Sequence, residues 1–354
     1  MRLRNILYRV YSFLFSFIPI GVSNYKFRKN LLLPLYSKFY IRSQQCGGIN
    51  LSNDPEHQLR QNSKTVIYMV QRETTFSGGL SDRFRGIISI FAECKRQNLP
   101  FRIVFEPLHI QDYIQPNQYD WQIKNEDIIW DTNRCYPCTI LTYRHNLKNP
   151  IQRYAQITFL RHFLRKRYEQ IHVYSNMATA EDNFGKLFEE LFKPSRELQE
   201  QIDHHLQQLG GKGSFISMTF RFRQLLGDFK EGGQTLPPDQ RNTYISRCIA
   251  SVEKLHEDNP NEKILVTSDS SSFLKEVVDL KRLGEYVYII PGKVVHVGFT
   301  FDAEKETYMK SFVDFFMLSY AKKIYLMRDQ KMYHSGFPQR ASMLYGREYG
   351  EIYI

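Results

Sequence analysis

The chain has 354 residues, 42% hydrophobic and 24% charged, long enough for two domains and too apolar for wholesale disorder. Its formal net charge of +11 points to an anionic partner: nucleic acid, acidic lipid or a phosphorylated small molecule. No recognition-helix pattern, zinc-finger spacing or aromatic RNA-binding signature is present, so nucleic acid is not the expected partner, and five scattered cysteines fit a reducing compartment better than a disulfide framework.

Residues 1–42 carry Arg2, Arg4, Arg9, Lys26, Arg28, Lys29, Lys38 and Arg42 and no Asp or Glu. The uncharged run 10–22 contains Pro19 and is short for a membrane span. Residues 1–45 therefore read as a basic amphipathic segment, with Phe13, Phe15 and Phe17 in lipid and the bases at anionic headgroups. The expected location is the cytoplasm, peripheral at the inner face of the membrane, with the secretory pathway as the alternative. The sequon at Asn50 is too common to argue otherwise.

Thr65–Val70 is an apolar strand leading into Gly78-Gly79-Leu80-Ser81-Asp82-Arg83-Phe84-Arg85-Gly86 and a helix over 87–97, with Ser81 or Asp82 as its cap. Phe101–Phe105 completes a βαβ unit. Glycines in such a turn often serve only chain reversal, but Arg83 and Arg85 suit an anion held at a helix start. Residues 127–130 look strand-like, and Cys135-Tyr-Pro-Cys138, a lone CxxC, reads as a loop with two free thiols. A basic helix is expected over 151–171. Residues 184–192 put Phe184, Leu187, Phe188, Leu191 and Phe192 on one buried helical face, and Arg196–Leu209 is a helix closed by Gly210-Gly211. The domain boundary falls there, giving domains over 46–210 and 211–354.

The second half alternates strands (215–222, 263–267, 286–290, 323–327) with helices (244–257, 272–278, 309–319, Phe337–Leu344), the rhythm of a doubly wound parallel sheet. Ligands of such sheets sit at the carboxyl ends of the strands. Arg221, Asp269 and the His334-Ser335-Gly336 turn should thus share one edge. Period-two alternation sends Arg221 and Arg223 one way and Phe220 and Phe222 the other, and two guanidiniums suit a diphosphate. Ser335, Gly336 and Phe337 supply amide and hydroxyl donors, and Asp314 could accept from a purine edge. No Asp-x-Asp pair and no metal-spaced cluster occurs, so no metal or other cofactor is expected; arginines and helix termini would neutralise a departing diphosphate. His204 and His205 read as solvated helix residues, and His296 and His334 lie near strand ends. The motifs of nucleophilic hydrolases, P-loop ATPases, kinases and dinucleotide-binding dehydrogenases are all lacking.

Together these pieces resemble the superfamily of α1,2-, α1,6- and protein O-fucosyltransferases. Residues 78–86 resemble its glycine-rich first loop, and Thr219-Phe220-Arg221 its His-x-Arg. Thr267-Ser268-Asp269 resembles its strand-end acid, 314–321 its Asp-x-x-x-Leu-Ser-x-Ala, and 334–337 with Arg340-Ala341 its phosphate turn. The chain departs in having Thr219 at the family's histidine and its acid later, at Asp228; Arg223 is the alternative match for the arginine. The resemblance implies a GT-B-like α/β fold of two Rossmann-like domains with a cleft between them. It implies an inverting, metal-independent transfer of fucose from GDP-fucose to a glycan hydroxyl in surface polysaccharide or glycoconjugate synthesis. In that reaction Arg221 would stabilise the diphosphate and Asp228 would act as base. Gly78, Gly79, Arg83, Arg221, Arg223, Asp269, Asp314, His334, Ser335, Gly336 and Phe337 would hold the nucleotide sugar. Another nucleotide sugar, or an inactive nucleotide-binding scaffold at the membrane, are the alternatives.

Overall fold

A computed structural model describes residues 64–70, 78–106, 108–131, 134–140, 150–228, 234–292, 295 and 304–354. The N-terminal basic segment, Cys46, the Asn50 sequon and His296 lie outside them. The described chain falls into two compact units: the residues up to 78 with 82–108 and 118–183, and 79–81 with 109–117 and 184–354.

The first unit is built on a parallel four-stranded sheet of order β2-β1-β5-β4, from β1 (Thr65–Val70), β2 (Phe101–Phe105), β4 (Cys135–Ile140) and β5 (Gln170–Ser175). Its helices are α1 (Leu80–Arg96) and α2 (Pro150–Leu164). β1 is buried from Val66 onward, as a parallel strand covered on both faces must be. α1 lies so close to β5 that a Cβ on Gly86 would stand 2.2 Å from the Ser175 carbonyl oxygen, which only glycine tolerates. That carbonyl also accepts from the Tyr68 hydroxyl at 2.6 Å.

Several local expectations change here. The helix begins at Leu80, so Ser81 and Asp82 lie in its first turn rather than at its cap. Residues 128–130 are irregular after a single 3-10 turn. The expected basic helix stops at Leu164, and the chain re-enters the sheet as β5. The CxxC is a strand, not a loop, so Cys135 and Cys138, three residues apart, face opposite ways. Burial pushes the Cys135 thiol up to about 12 and raises Cys138 further.

The second unit carries a five-stranded parallel sheet of order β11-β10-β7-β8-β9. Its strands are β7 (Phe215–Phe220), β8 (Lys263–Ser268), β9 (Val287–Tyr288), β10 (Lys323–Arg328) and β11 (Glu348–Tyr353). A short antiparallel pair joins β3 (Ile114–Pro116) to β6 (Phe192–Pro194). The helices are α3 (Phe184–Leu191), α4 (Arg196–Leu209), α5 (Pro238–Asp258), α6 (Ser271–Asp279), α7 (Lys305–Tyr320) and α8 (Phe337–Leu344). α3 buries Phe184, Leu187, Phe188 and Leu191 as its pattern predicts, and α4 ends on a left-handed Gly210. Residues 184–209, assigned from the sequence to the first domain, cluster with the second unit. The reason is packing: Phe188 meets Phe315 and Phe316 of α7, and residues 109–117 join the same unit, where Tyr113 stacks on Phe312 at 4.5 Å. α7 is buried continuously from Tyr308 to Tyr320. β9 keeps only two of the five expected strand residues, and β11 was not foreseen.

Strands β8 and β9 lie on one side of β7, whereas β10 and β11 lie on the other. The order reverses beside β7, so the carboxyl ends of β7 and β10 flank a topological switch point, where open parallel sheets bind ligands.

Candidate functional site

β7 ends at Phe220, and the next three residues are shaped by one carboxylate. Asp269, just past β8, is 4% exposed. Its Oδ1 accepts the Phe222 N–H at 2.8 Å, and its Oδ2 accepts the Arg223 N–H at 2.6 Å. Oδ2 also pairs with an Arg221 guanidinium nitrogen at 3.0 Å. Burial pushes the Asp269 carboxyl upward; Arg221 and the two amides pull it back. These bonds hold Arg223 in the left-handed region, at φ 56°, a conformation that costs a non-glycine residue about 1–2 kcal/mol.

The strand alternation therefore holds for the phenylalanines and fails for the arginines. Phe220 and Phe222 are buried and both pack on Phe273, centroids 4.6 and 5.1 Å away. Each such ring contributes about 1.5–3 kcal/mol of burial, which anchors the strand end. Arg221 stays against Asp269, while the turn carries the Arg223 guanidinium over the ring of Tyr333, 4.9 Å from its centroid. Thr219 is inside the sheet: its hydroxyl bonds that of Thr267 at 2.9 Å.

The segment after β10 is laid beside this turn by a backbone bond, Tyr333 N–H to the Arg221 carbonyl, 3.0 Å. It continues through His334, Ser335 and Gly336 into α8. The Ser335 hydroxyl is buried and accepts the Phe337 N–H at 3.2 Å. Phe337 meets Phe315 edge-on, which seats the first turn of α8 on α7. The Gly336 carbonyl accepts the Arg340 N–H and the Ser81 hydroxyl, at 3.0 and 3.2 Å. Residues 79–81 of the glycine-rich stretch thus join the head of α8, far apart in sequence though they are. Gly78 and Arg83 belong to the first unit, where Arg83 Nε donates to the Gly78 carbonyl at 3.1 Å and its guanidinium covers Phe105.

Two expected acids have other engagements. Asp228 Oδ2 accepts from the Ser272 N–H at 2.7 Å and the Ser270 hydroxyl at 2.9 Å, so it supports the start of α6 alongside the N-cap Ser270. Asp314 is buried in α7 with both oxygens bonded by Lys310 Nζ, at 2.6 and 2.7 Å. Burial raises its carboxyl, opposed by Lys310. Lys310 also faces His205, which is buried rather than solvated and bonds the Tyr288 hydroxyl at 2.7 Å. Desolvation, with His204 and Lys310 nearby, lowers the His205 imidazole to about 4.

Sequence reasoning missed Tyr333, Lys310 and Glu351. The i, i+4 spacing of Lys310 and Asp314 was a legible signal for that pair. Glu351, whose Oε1 lies 2.6 Å from His334 Nε2, has its partners 17 and 23 positions away and left none. Among the described residues, no group of three or more His, Cys, Asp or Glu side chains could hold a metal ion, and no helix is long and apolar enough to cross a membrane.

No protein-family model and no curated protein matches the chain. Solved structures do. The fucosyltransferase FUT1 of Arabidopsis thaliana, in complex with GDP, superposes with a TM-score of 0.52 at 12% identity, covering 95% of this chain and 80% of that one. The fucosyltransferase NodZ from Bradyrhizobium does so with a TM-score of 0.50 at 13% identity, covering 80% and 92%. The chain therefore has the fold of the GT-B fucosyltransferases, as its motifs led one to expect.

Proposed function

We propose that the protein is a glycosyltransferase whose donor, a GDP-sugar and most simply GDP-fucose, binds at the carboxyl ends of β7 and β10. One observation carries this reading: Tyr333 N–H bonds the Arg221 carbonyl at the switch point, bringing the Asp269-held arginine turn and the head of α8 together. Arg221 and Arg223 provide charge, and the turn into α8 provides amide donors and hydroxyls. Such an array stabilises a diphosphate as the glycosidic carbon leaves it, where preorganised donors contribute most. The fold shared with an enzyme crystallised with GDP supports the choice of nucleotide.

In this reading Arg221 is the group that meets the diphosphate, and the arginines and α8 neutralise its charge without a divalent ion. Asp269 is a positioning residue, because its three contacts are all with the turn itself. Asp228 enters as a support of α6. Attack by a glycan hydroxyl from the opposite face would invert the anomeric carbon as its bond to the diphosphate breaks, the hydroxyl proton passing to a base. The acid-free, basic residues 1–42 would hold the enzyme at an anionic membrane surface, where surface glycoconjugates are assembled.

Calorimetric titration of GDP, UDP and dTDP into the full chain without added metal tests this. GDP is expected to bind most tightly, and Arg221→Lys, which keeps the charge and loses the fork, to weaken it by tenfold or more. Equal, salt-sensitive binding of all three would sink the reading in favour of a non-specific basic surface. Deleting residues 1–42 should release the protein from phosphatidylserine vesicles; retained binding would refute the membrane contact.

A further inference from the structure

Glu351 lies in β11, an edge strand whose residues are all at least partly exposed, so its side chain is not needed to fill a core. Its carboxylate is nonetheless fully engaged. Oε1 stands 2.6 Å from His334 Nε2 and accepts the Tyr349 hydroxyl at 3.2 Å. Oε2 accepts from Arg328, the last residue of β10, at 2.6 Å. The same Arg328 nitrogen donates to the Tyr353 hydroxyl at 3.1 Å, and its guanidinium covers that ring. Burial pushes the Glu351 carboxyl up, but the bonds from Arg328 and His334 outweigh it and hold the group below the usual glutamate range.

Geometry gives this one carboxylate a particular reach. Arg328 and His334 bracket the excursion that leaves β10 and returns at the head of α8. Within it, Asp329 Oδ1 accepts the amides of Lys331 and Met332, both at 2.7 Å, and Tyr333 pairs with Arg221. Glu351 therefore clasps both ends of the loop, and Tyr333, beside the His334 end, meets the arginine turn. A carboxylate engaged through both oxygens restricts the loop more than an isolated surface pair does, since it fixes two side chains against one planar group.

We infer that Glu351 is the positioning residue that sets the 329–336 loop, acting through His334 to present the Ser335–Gly336 turn to the donor diphosphate. The inference rests on the donor-site reading above. Without Glu351 the loop keeps its backbone bond to Arg221 and the seating of α8 on α7, and loses the side-chain clasp on Arg328 and His334, so nucleotide affinity falls while the fold, whose core lies elsewhere, persists.

A double-mutant cycle on the full chain tests it, with GDP affinity by calorimetry and thermal unfolding for wild type, Glu351→Gln, His334→Ala and the double variant. Glu351→Gln is expected to weaken GDP about tenfold with little change in unfolding temperature. The double variant should be no weaker than the worse single one, because both act through one contact. Glu351→Asp, which keeps the charge, should recover part of the loss. Wild-type affinity in Glu351→Gln, or losses that simply add, would overturn the inference alone. If wild type does not bind GDP, the donor-site reading fails and takes this inference with it.

Discussion

Both units bury charged side chains, and they use them differently. In the first, the charges of α1 are answered on and beside helices. Arg83 turns back to the Gly78 carbonyl, Arg85 pairs with Asp82, and Glu93 accepts from Arg96 at 3.0 Å and from Arg161 of α2 at 3.0 Å. In the second, charge gathers at and just beyond strand ends: Asp269 with Arg221, and Glu351 with Arg328 and His334. The helix pairs staple α1 to its surroundings. Asp269 orders backbone at the switch point of a parallel sheet, where a ligand would use it. Buried charge alone does not mark a site; buried charge that shapes strand ends does.

The sharpest way to break this contrast is to remove its central acid. Asp269→Ala removes the buried carboxylate shared by the Arg221 guanidinium and the Phe222 and Arg223 amides, and should cost about 3–5 kcal/mol in urea unfolding. A cost near zero would mean that the arginine turn is not organised by that carboxylate. Next in size is a change in the first unit that touches no charge: Gly86→Ala forces a methyl against the Ser175 carbonyl and should cost about 1–3 kcal/mol. Ser270→Ala removes the N-cap bond to Phe273 at 3.1 Å and should lose about 1 kcal/mol, less than Asp269→Ala although the two residues are neighbours. Asp82→Ala deletes a partner whose side chain is 39% exposed, and should change stability by less than about 1 kcal/mol.

The smallest effect concerns pH. Burial alone would raise the Glu93 carboxyl, but Arg96, Arg161 and Gln97 hold it below its ordinary 4.5. A carboxylate depressed on folding stabilises above its unfolded pKa, and that contribution disappears as pH falls through the folded one. Glu93→Gln should therefore flatten the loss of stability between pH 5 and pH 3. An unchanged acid limb would show that the α1–α2 link carries no net charge stabilisation.

Much of this protein can be read from residues that act on their neighbours. The apolar runs of β1, β2, β7, β8 and β10, the Phe184–Leu191 stripe, the Gly210 stop and the Ser270 cap follow from local sterics and periodicity, which need only a few adjacent positions. The alternation of strand and helix in the second half was enough to place Arg221, Asp269 and Ser335 at strand ends, and the parallel order confirms that placement. Other features depended on partners that no local pattern names. Arg223 leaves the strand alternation because an acid 46 positions away takes its amide. Asp314 is held by Lys310 in a helix buried on almost every side, and residues 184–209 join the second unit because their aromatic side chains find α7. Glu351 matters only once β11 lies beside β10. Periodicity carries information along the chain; what a carboxylate or guanidinium does is decided by the charge it meets across the fold, and that meeting exists only in the tertiary structure.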